Sequence, residues 1–348
     1  MKPVSLKYTK SSTFYIDIKQ DFFTSNEELL QKSIKQNQLY ATQPKRVLCK
    51  VCKSALPNDT DFSSHGVDYI FCSECSHLNG KFEDTQAFIE NLYISDDGKD
   101  YSSNYIEKDF LKRTETIYIP KVDFLISSIT PSLPKKAYDI LDIGCGSGYF
   151  VLAALLRNLN ATGLDVSKTM VDFGNHQLSH HSKKNLLIFK NEQGFYKEII
   201  KSNANIISAI GVIEHLREPH KFFDAFRQSR AQYLYYSVPM FSFSAALENI
   251  FKNVFPRQLS GGHTHLFTEQ SIKKMNEIIG VQSIAEWRFG TDIMDLYRHT
   301  IINLQKNHSS QKLIDFLNTG FGAKIDEIQS VFDKNHFCSE IHCVALKI

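Results

Sequence analysis

Short apolar runs alternate with longer stretches of helical spacing through the second part of the chain, from residue 136 to residue 348. Seven of these runs are too short for a helix and predict strands. They lie at 139–143, 161–165, 186–189, 206–210, 232–238, 281–288 and 341–347. Apolar spacing typical of a helix follows the first run, in YFVLAALLRNL at 149–159. Strands that alternate with helices indicate an α/β domain built on a parallel, doubly wound sheet.

Two longer segments interrupt this series near its end, at about 240–275 and about 291–335. We expect both to be helical inserts that cover the carboxyl edge of the strands, where ligands bind in such sheets. Ahead of the α/β domain we predict three smaller units. They are an extension at 1–44 with a helix in SNEELLQKSIKQNQLY, a cysteine-rich unit at 45–80, and a Tyr-rich link with helices at 81–135.

Charge is balanced in this chain, with 40 Lys and Arg against 38 Asp and Glu and a net charge of +2. Because basic residues are not concentrated in one region, we expect no nucleic-acid partner. No apolar run has the length of a signal-peptide core or a membrane span, which predicts a cytoplasmic protein without membrane insertion. Thiols stay reduced there, so the seven cysteines indicate metal binding or burial.

Four cysteines form two Cys-x-x-Cys pairs, Cys49 with Cys52 and Cys72 with Cys75. Two turns that each present two thiolates can together complete tetrahedral sulfur coordination, which suits zinc. The spacing predicts a zinc ribbon whose ion is structural, since the protein fills all four positions. The alternatives are unrelated reduced pairs or a redox motif. His65 and His77 could replace a ligand, although we expect both at the surface.

A predicted strand runs into a glycine-rich turn in DILDIGCGSGYF, residues 139–150. Gly144, Gly146 and Gly148 allow the backbone to approach a ligand closely, and a second strand ends seventeen residues later at Asp165. A carboxylate at that strand end can accept both hydroxyls of a ribose. Asp142 would repel a pyrophosphate and attract a cationic amino-acid group. The turn therefore favours S-adenosylmethionine over NAD.

Several motifs now resemble those of class I S-adenosylmethionine-dependent methyltransferases: LDIGCGSG, GLDVS, SAIGVIEHLREP, GGHTHLFTEQSIKKM and the terminal EIHCVALKI. The resemblance implies a Rossmann-like, seven-stranded methyltransferase sheet. It also implies a set of cofactor-binding residues, namely Asp142, Gly144, Cys145, Gly146, Gly148, Asp165, Val166 and Gly211. In that family Asp142 and the glycines face the methionine part of the cofactor, and Asp165 holds the ribose. The adenine contact is either Asn191 or Glu192.

The paired cysteines and the stretch NLYISDDGKDYSSNY at 91–105 resemble a branch of these enzymes with an N-terminal zinc ribbon and a Tyr-rich link. NDP-sugar C-methyltransferases belong to that branch, and other members act in bacterial surface-glycan and natural-product pathways. The resemblance implies a small-molecule acceptor, a nucleotide-linked or glycan sugar, with Tyr101 near the chemistry. The extra C-terminal domain of the sugar C-methyltransferases has no counterpart in this sequence.

Candidate catalytic residues follow the predicted fourth and fifth strands. Glu214 and His215 come directly after the fourth strand, and we choose His215 as the general base that deprotonates the acceptor. His215 could instead only cap a helix. His263 and His265 lie in a later glycine-containing segment and could aid catalysis or bind the acceptor. Some methyltransferases hold a divalent metal with E-x-x-E-H, but here Gly211 replaces the first Glu.

Two other functions compete with this one. Some rRNA methyltransferases also pair a zinc module with a similar glycine turn, which makes an RNA substrate the alternative, although their Pro-containing motif is absent after the fourth strand. The other alternative is a non-catalytic scaffold that keeps the cofactor fold to bind a partner. The intact glycines and Asp165 argue against it. The sequence leaves the oligomeric state open.

Overall fold

A computed structural model describes residues 3–12, 21–93, 110–129, 138–259 and 263–348. These residues form two β-sheets and a set of helices. The strands are β1 (Ser5–Tyr8), β2 (Phe62–Ser64), β3 (Val67–Phe71), β4 (Leu78–Gly80), β5 (Asp139–Ile143), β6 (Asn160–Asp165), β7 (Leu187–Phe189), β8 (Ile206–Ile210), β9 (Tyr233–Pro239), β10 (His265–Leu266), β11 (Val281–Phe289) and β12 (Glu340–Lys347).

The α-helices of the described residues include short ones near the N-terminus and longer ones between the strands. They are α1 (Asp21–Thr24), α2 (Asn26–Ala41), α3 (Gln86–Tyr93), α4 (Phe110–Arg113), α5 (Ile119–Ile129), α6 (Tyr149–Leu156), α7 (Lys168–Leu178), α8 (Glu192–Lys201), α9 (Pro219–Gln228), α10 (Phe243–Ile250), α11 (Glu269–Ile279), α12 (Asp292–Lys306), α13 (Gln311–Gly320) and α14 (Ile325–Lys334). Across the part of the chain described, no helix is both long enough and apolar enough to span a membrane.

The larger sheet has the strand order β1-β11-β12-β9-β8-β5-β6-β7. All neighbours run parallel except β12, which is antiparallel to β9 and to β11. All seven predicted strands form, within one residue of the predicted bounds at each end. The eighth strand, β1, was not predicted. It pairs with β11 at one edge, and its burial pattern is mostly exposed, so no apolar pattern marks it.

Apolar side chains cover both faces of this sheet. One face packs against α5 and α6, with Val122, Leu125 and Phe150 among the buried residues. On the other face, α9 contributes Phe222 and Phe226. Parallel strands buried on both faces are continuous in apolar character, which is why sequence periodicity located them so closely.

A smaller antiparallel sheet has the order β10-β4-β3-β2. Three of its strands come from the cysteine-rich unit, whereas β10 lies in the first predicted insert and pairs with β4, placing His265 opposite Asn79. The first insert, 240–275, contains α10 and the start of α11, as a helical insert would, but the strand β10 between them was not predicted. The second insert, 291–335, is helical as predicted, through α12, α13 and α14.

Candidate active site

The turn after β5 is held by three glycines in the left-handed region. Gly144, Gly146 and Gly148 have φ values of +64°, +54° and +80°. A Cβ at Gly144 would lie 2.6 Å from Val212, so a side chain is excluded there. Among the described residues, a Cβ at Gly146 would meet only the Met170 methyl group, at 3.6 Å. No other described side chain crowds the backbone at Gly146, as a cofactor cradle requires.

Asp165 at the end of β6 is bonded to this turn. One carboxylate oxygen accepts from the Gly146 amide at 2.7 Å, and the other accepts from the Ser167 amide at 2.8 Å. Burial raises the pKa of Asp165. The Ser167 side chain caps α7 by accepting from the Met170 amide, so Asp165 is not the side-chain cap of that helix. Val166 beside it is exposed.

Asp142 lies under the glycine turn and is buried. Its carboxylate accepts a hydrogen bond from the Ser208 hydroxyl of β8 at 2.7 Å. Burial raises the pKa of Asp142 to about 7, against the opposing effect of the Ser208 bond. A carboxyl group with such a pKa changes its charge near neutral pH, and a cationic ligand would favour its ionised form.

Cys145, expected among the cofactor contacts, lies with its side chain against the neighbouring strand β6. It is buried and packs against Gly163, where an added Cβ would lie 2.6 Å from its sulfur. Burial raises the pKa of this thiol. Gly211 after β8 also has a left-handed backbone, with φ +66°, and its amide donates to the Ser237 hydroxyl at 3.0 Å. Within the described ranges, an added Cβ at Gly211 would meet only Glu214, at 3.7 Å.

Glu214 and His215 lie in a single 3₁₀ turn, Ile213–His215, that follows β8. Because β5 and β8 are parallel neighbours, this turn and the glycine turn lie at the same carboxyl edge of the sheet. His263 joins them from the segment before β10. Its ring stacks on that of His215, with centroids 5.2 Å apart and planes 24° apart. Glu214, His215 and His263 each offer one ligand atom, all within 4.8 Å of one another.

The three side chains differ in environment. Glu214 is buried, its Oε2 has no hydrogen-bond partner among the described residues, and burial raises its pKa to about 8. Burial also lowers the pKa of His263, so both groups are mainly neutral at pH 7. His215 is only partly buried. The cluster therefore offers a carboxylic acid and two imidazoles for proton transfer, and the same atoms could hold a cation.

His265, also a candidate for the chemistry, lies behind this cluster and is 1% exposed. Its Nε2 bonds the backbone carbonyl of Glu214 at 2.9 Å, and its Nδ1 bonds His77 Nε2 at 2.8 Å. The expectation that His77 lies at the surface was wrong, because His77 is 0% exposed. Sequence reasoning could not find this contact, since 188 residues separate the two histidines. Tyr101 lies outside the described residues.

The four paired cysteines come together at one end of the small sheet, and all are free thiols. Their sulfurs lie within 4.8 Å of one another, with 3.6 Å between Cys49 and Cys75 and 3.5 Å between Cys52 and Cys72. Tetrahedral coordination with Zn–S bonds of about 2.3 Å places sulfurs about 3.8 Å apart, so the donor set fits a zinc ion.

Both cysteine turns have the same backbone geometry. In the first, the Lys53 amide donates to the Cys49 carbonyl at 3.0 Å, and in the second the Ser76 amide donates to the Cys72 carbonyl at 2.8 Å. Lys53 and Ser76 both have a left-handed backbone, with φ +64° and +55°. Two turns with the same geometry can present their thiols symmetrically. The cysteine-rich unit, residues 45–80, is called the cysteine module below. It packs on α9, where His220 Nε2 bonds the Val51 carbonyl at 2.8 Å.

Residues 110–286, just over half of the chain, match the model of a family described as a methyltransferase domain. No curated protein matches the sequence. Among solved structures, the magnesium protoporphyrin IX methyltransferase of Synechocystis PCC 6803 aligns with 76% of this chain and 100% of its own, at 12% identity and a TM-score of 0.48.

A methyltransferase of Archaeoglobus fulgidus that depends on S-adenosylmethionine aligns with 68% of this chain and 99% of its own, at 17% identity and a TM-score of 0.39. The geranyl diphosphate C-methyltransferase of Streptomyces coelicolor A3(2) aligns with 70% of this chain and 84% of its own, at 12% identity and a TM-score of 0.41. Since the family model covers just over half of the sequence, the chain belongs to the methyltransferase-domain family and is a class I S-adenosylmethionine-dependent methyltransferase.

Proposed function

We propose that the protein methylates a small-molecule acceptor, a sugar carried on a nucleotide or a glycan, in a bacterial-type surface-glycan or natural-product pathway. The observation that carries the proposal is the cluster of Glu214, His215 and His263 at the sheet edge that also bears the glycine turn. S-adenosylmethionine, when bound, supplies a methyl group already activated on a sulfonium. The protein must then orient the acceptor and remove one proton from it.

His215 is the general base in this proposal. It is only partly buried, whereas Glu214 is 5% exposed, so His215 is the member of the turn more open to an acceptor. The stacked ring of His263 limits the orientations of the His215 ring. Glu214, neutral below pH about 8, can donate a hydrogen bond into the cluster, as buried carboxylic acids do in other active sites.

The cofactor side of the site consists of Asp142, the three glycines of the turn, and Asp165. In this proposal Asp142 meets the methionine ammonium group and Asp165 meets the ribose hydroxyls. Support comes from the left-handed glycines of the turn and from two buried carboxylates, Asp142 just before the turn and Asp165 at the end of β6. Glycines there keep side chains out of the cofactor's path.

We also propose that the cysteine module holds one structural zinc ion through Cys49, Cys52, Cys72 and Cys75. The sulfur–sulfur distances support zinc, and four protein thiolates leave no open coordination position. A module of this size has little apolar core of its own, so metal binding would supply much of its folding free energy.

A second possibility for the cluster rests on the same geometry. Three ligand atoms within 4.8 Å could bind a divalent cation, and then His215 would be a ligand and not a base. Metal analysis separates the two possibilities. If the protein contains about one zinc per chain, and the zinc is lost when the cysteines are substituted, the result supports His215 as the general base. If it contains a second metal that is lost in His263→Ala, the result supports a cation bound by the cluster.

The acceptor is tested by incubating the purified protein with methyl-deuterated S-adenosylmethionine and a panel of nucleotide sugars, followed by mass spectrometry. We expect at least one sugar to gain a labelled methyl group. A parallel reaction contains bulk RNA, and RNA binding is measured as a function of salt. Labelled RNA together with unlabelled sugars would contradict the proposal and favour an RNA methyltransferase.

A further inference from the structure

We propose that His77 and His265 are positioning residues, which hold the Glu214–His215 turn through a hydrogen-bond chain that begins in the cysteine module. The proposal deepens the function proposed above, since it rests on His215 being the base. It concerns two side chains that lie behind the cluster and do not touch an acceptor.

The chain consists of short contacts between buried groups. Ser271 Oγ lies 3.3 Å from His77 Nδ1, His77 Nε2 lies 2.8 Å from His265 Nδ1, and His265 Nε2 lies 2.9 Å from the Glu214 carbonyl oxygen. His77, His265 and Ser271 are all at most 1% exposed. The Phe267 ring packs edge-on against His77, with centroids 4.8 Å apart. Packing on this scale fixes the rings in place.

Geometry sets the direction of the chain. A carbonyl oxygen only accepts, so His265 Nε2 must carry the proton and donate to Glu214. In a neutral ring His265 Nδ1 is then an acceptor, and His77 Nε2 must be the donor to it. His77 Nδ1 then carries no proton and faces the Ser271 hydroxyl, which also lies within donating distance of the Thr268 carbonyl, at 3.1 Å. Both imidazole N–H donors therefore point towards the Glu214 carbonyl, and each ring has one tautomer.

The carbonyl at the end of the chain belongs to the peptide that joins Glu214 to His215. That turn is short, with the His215 amide donating to the Val212 carbonyl at 2.9 Å. A buried carbonyl that loses its donor costs free energy, and a turn of three residues can relieve the cost by rotating the peptide. Rotation of this peptide would move the His215 ring relative to the acceptor. The His265 donor thus maintains the orientation of the base.

The other end of the chain is anchored in the second cysteine turn. His77 comes two residues after Cys75, and its carbonyl accepts from the Cys72 amide at 2.9 Å and from Asn79 Nδ2 at 2.9 Å. His265 is held from the same side, because β10 pairs with β4. His77 precedes the segment that matches the methyltransferase family, whereas His265 lies within it. The pair therefore connects the module to the catalytic turn across that boundary.

The test compares variants that remove the N–H donor to the Glu214 carbonyl with a variant that keeps one. His265→Phe keeps a ring in the packed site and removes both nitrogens, whereas His265→Gln keeps an N–H donor. His77→Phe and the double Phe variant test whether the two residues act as one unit. His220→Phe is the matched control, since it removes another bond of 2.8 Å between the module and α9 that does not lead to the turn.

Hydrogen–deuterium exchange of the peptide that covers residues 211–217 gives a readout that needs no acceptor. We expect faster exchange in His265→Phe and in His77→Phe, no further increase in the double variant, and near-normal exchange in His265→Gln and His220→Phe. S-adenosylmethionine affinity and zinc content should stay unchanged. With an acceptor in hand, His265→Phe should lower kcat roughly 10- to 100-fold at a similar KM, and His265→Gln should restore most of it.

Two results would overturn the proposal. One is unchanged exchange at 211–217 in both Phe variants, and the other is an equal effect of His265→Gln and His265→Phe. If only the proposed function is wrong, a different result is expected. Hydrogen–deuterium exchange at 211–217 then rises in the Phe variants as predicted, but no sugar accepts a methyl group. The exchange experiment thus decides the positioning role whatever the acceptor is.

Discussion

At the scale of single residues, the site depends on carboxyl groups whose ionisation is set by packing. Asp142 and Glu214 are both buried at one edge of the sheet, and burial raises the pKa of each, to about 7 and about 8. The sequence identified both residues as candidates. It could not indicate that either would be protonated near pH 7, since this depends on side chains brought together from distant strands, such as Ser208 beside Asp142.

Asp142 predicts a pH dependence of cofactor binding. The ammonium group of S-adenosylmethionine favours the ionised carboxylate, so affinity should rise with pH, by up to about tenfold per unit below pH 7, and level off above it. Asp142→Asn should flatten this profile, and Asp139→Asn, at the exposed start of the same strand, should not. Calorimetric titrations from pH 5.5 to about 8.5 measure the effect.

The same group affects stability with a defined sign. Its pKa is raised from 3.8 to about 7 in the folded protein, so between these values the folded state binds more protons than the unfolded state. The contribution of Asp142 to stability without ligand is therefore greatest at low pH and is lost as pH rises towards 7.

A cofactor affinity that falls as pH rises from 5.5 to about 7 would contradict the assignment of Asp142 to the ammonium group.

At the scale of elements, the predicted strands of the core agree with the observed ones, because each is an apolar run bounded by turns. Among the strands that were not predicted, β1 and β10 share one physical reason. β1 has an exposed burial pattern at the sheet edge, and β10 has two residues that exist as a strand only beside β4. Long-range pairing of this kind leaves no local pattern. The cysteine turns, in contrast, follow directly from their Cys-x-x-Cys spacing.

The cysteine module predicts a metal-dependent stability. Purified protein should contain about one zinc per chain, and replacing Cys49 and Cys72 with Ser should release it and lower the melting temperature. Cys338→Ala is the control, since Cys338 is a buried thiol outside the module and should leave zinc content intact. Elemental analysis of protein prepared without chelators, together with calorimetry, makes the measurement. Absence of zinc from the wild-type protein would refute the metal assignment.

At the scale of the whole molecule, the cysteine module packs against the rest of the chain and shares a sheet with it. Its cysteines belong to the same apolar cluster as Phe222 and Phe223 of α9, and β10 of the later chain completes its sheet. The sequence did not indicate the contact between His77 and His265, because that contact depends on tertiary packing. Tyr101 lies outside the described residues, so its expected position near the chemistry stays a prediction.

The central claim is that His215 removes the acceptor proton beside a bound S-adenosylmethionine. The most direct test is the single-turnover rate of methyl transfer to an accepting sugar in His215→Ala, with cofactor affinity measured on the same protein. His180→Ala, on the exposed end of the segment after α7, serves as the control. We predict that the rate falls by about 10²–10⁴-fold while cofactor affinity stays at the wild-type value. Transfer at the full rate by His215→Ala would contradict the account.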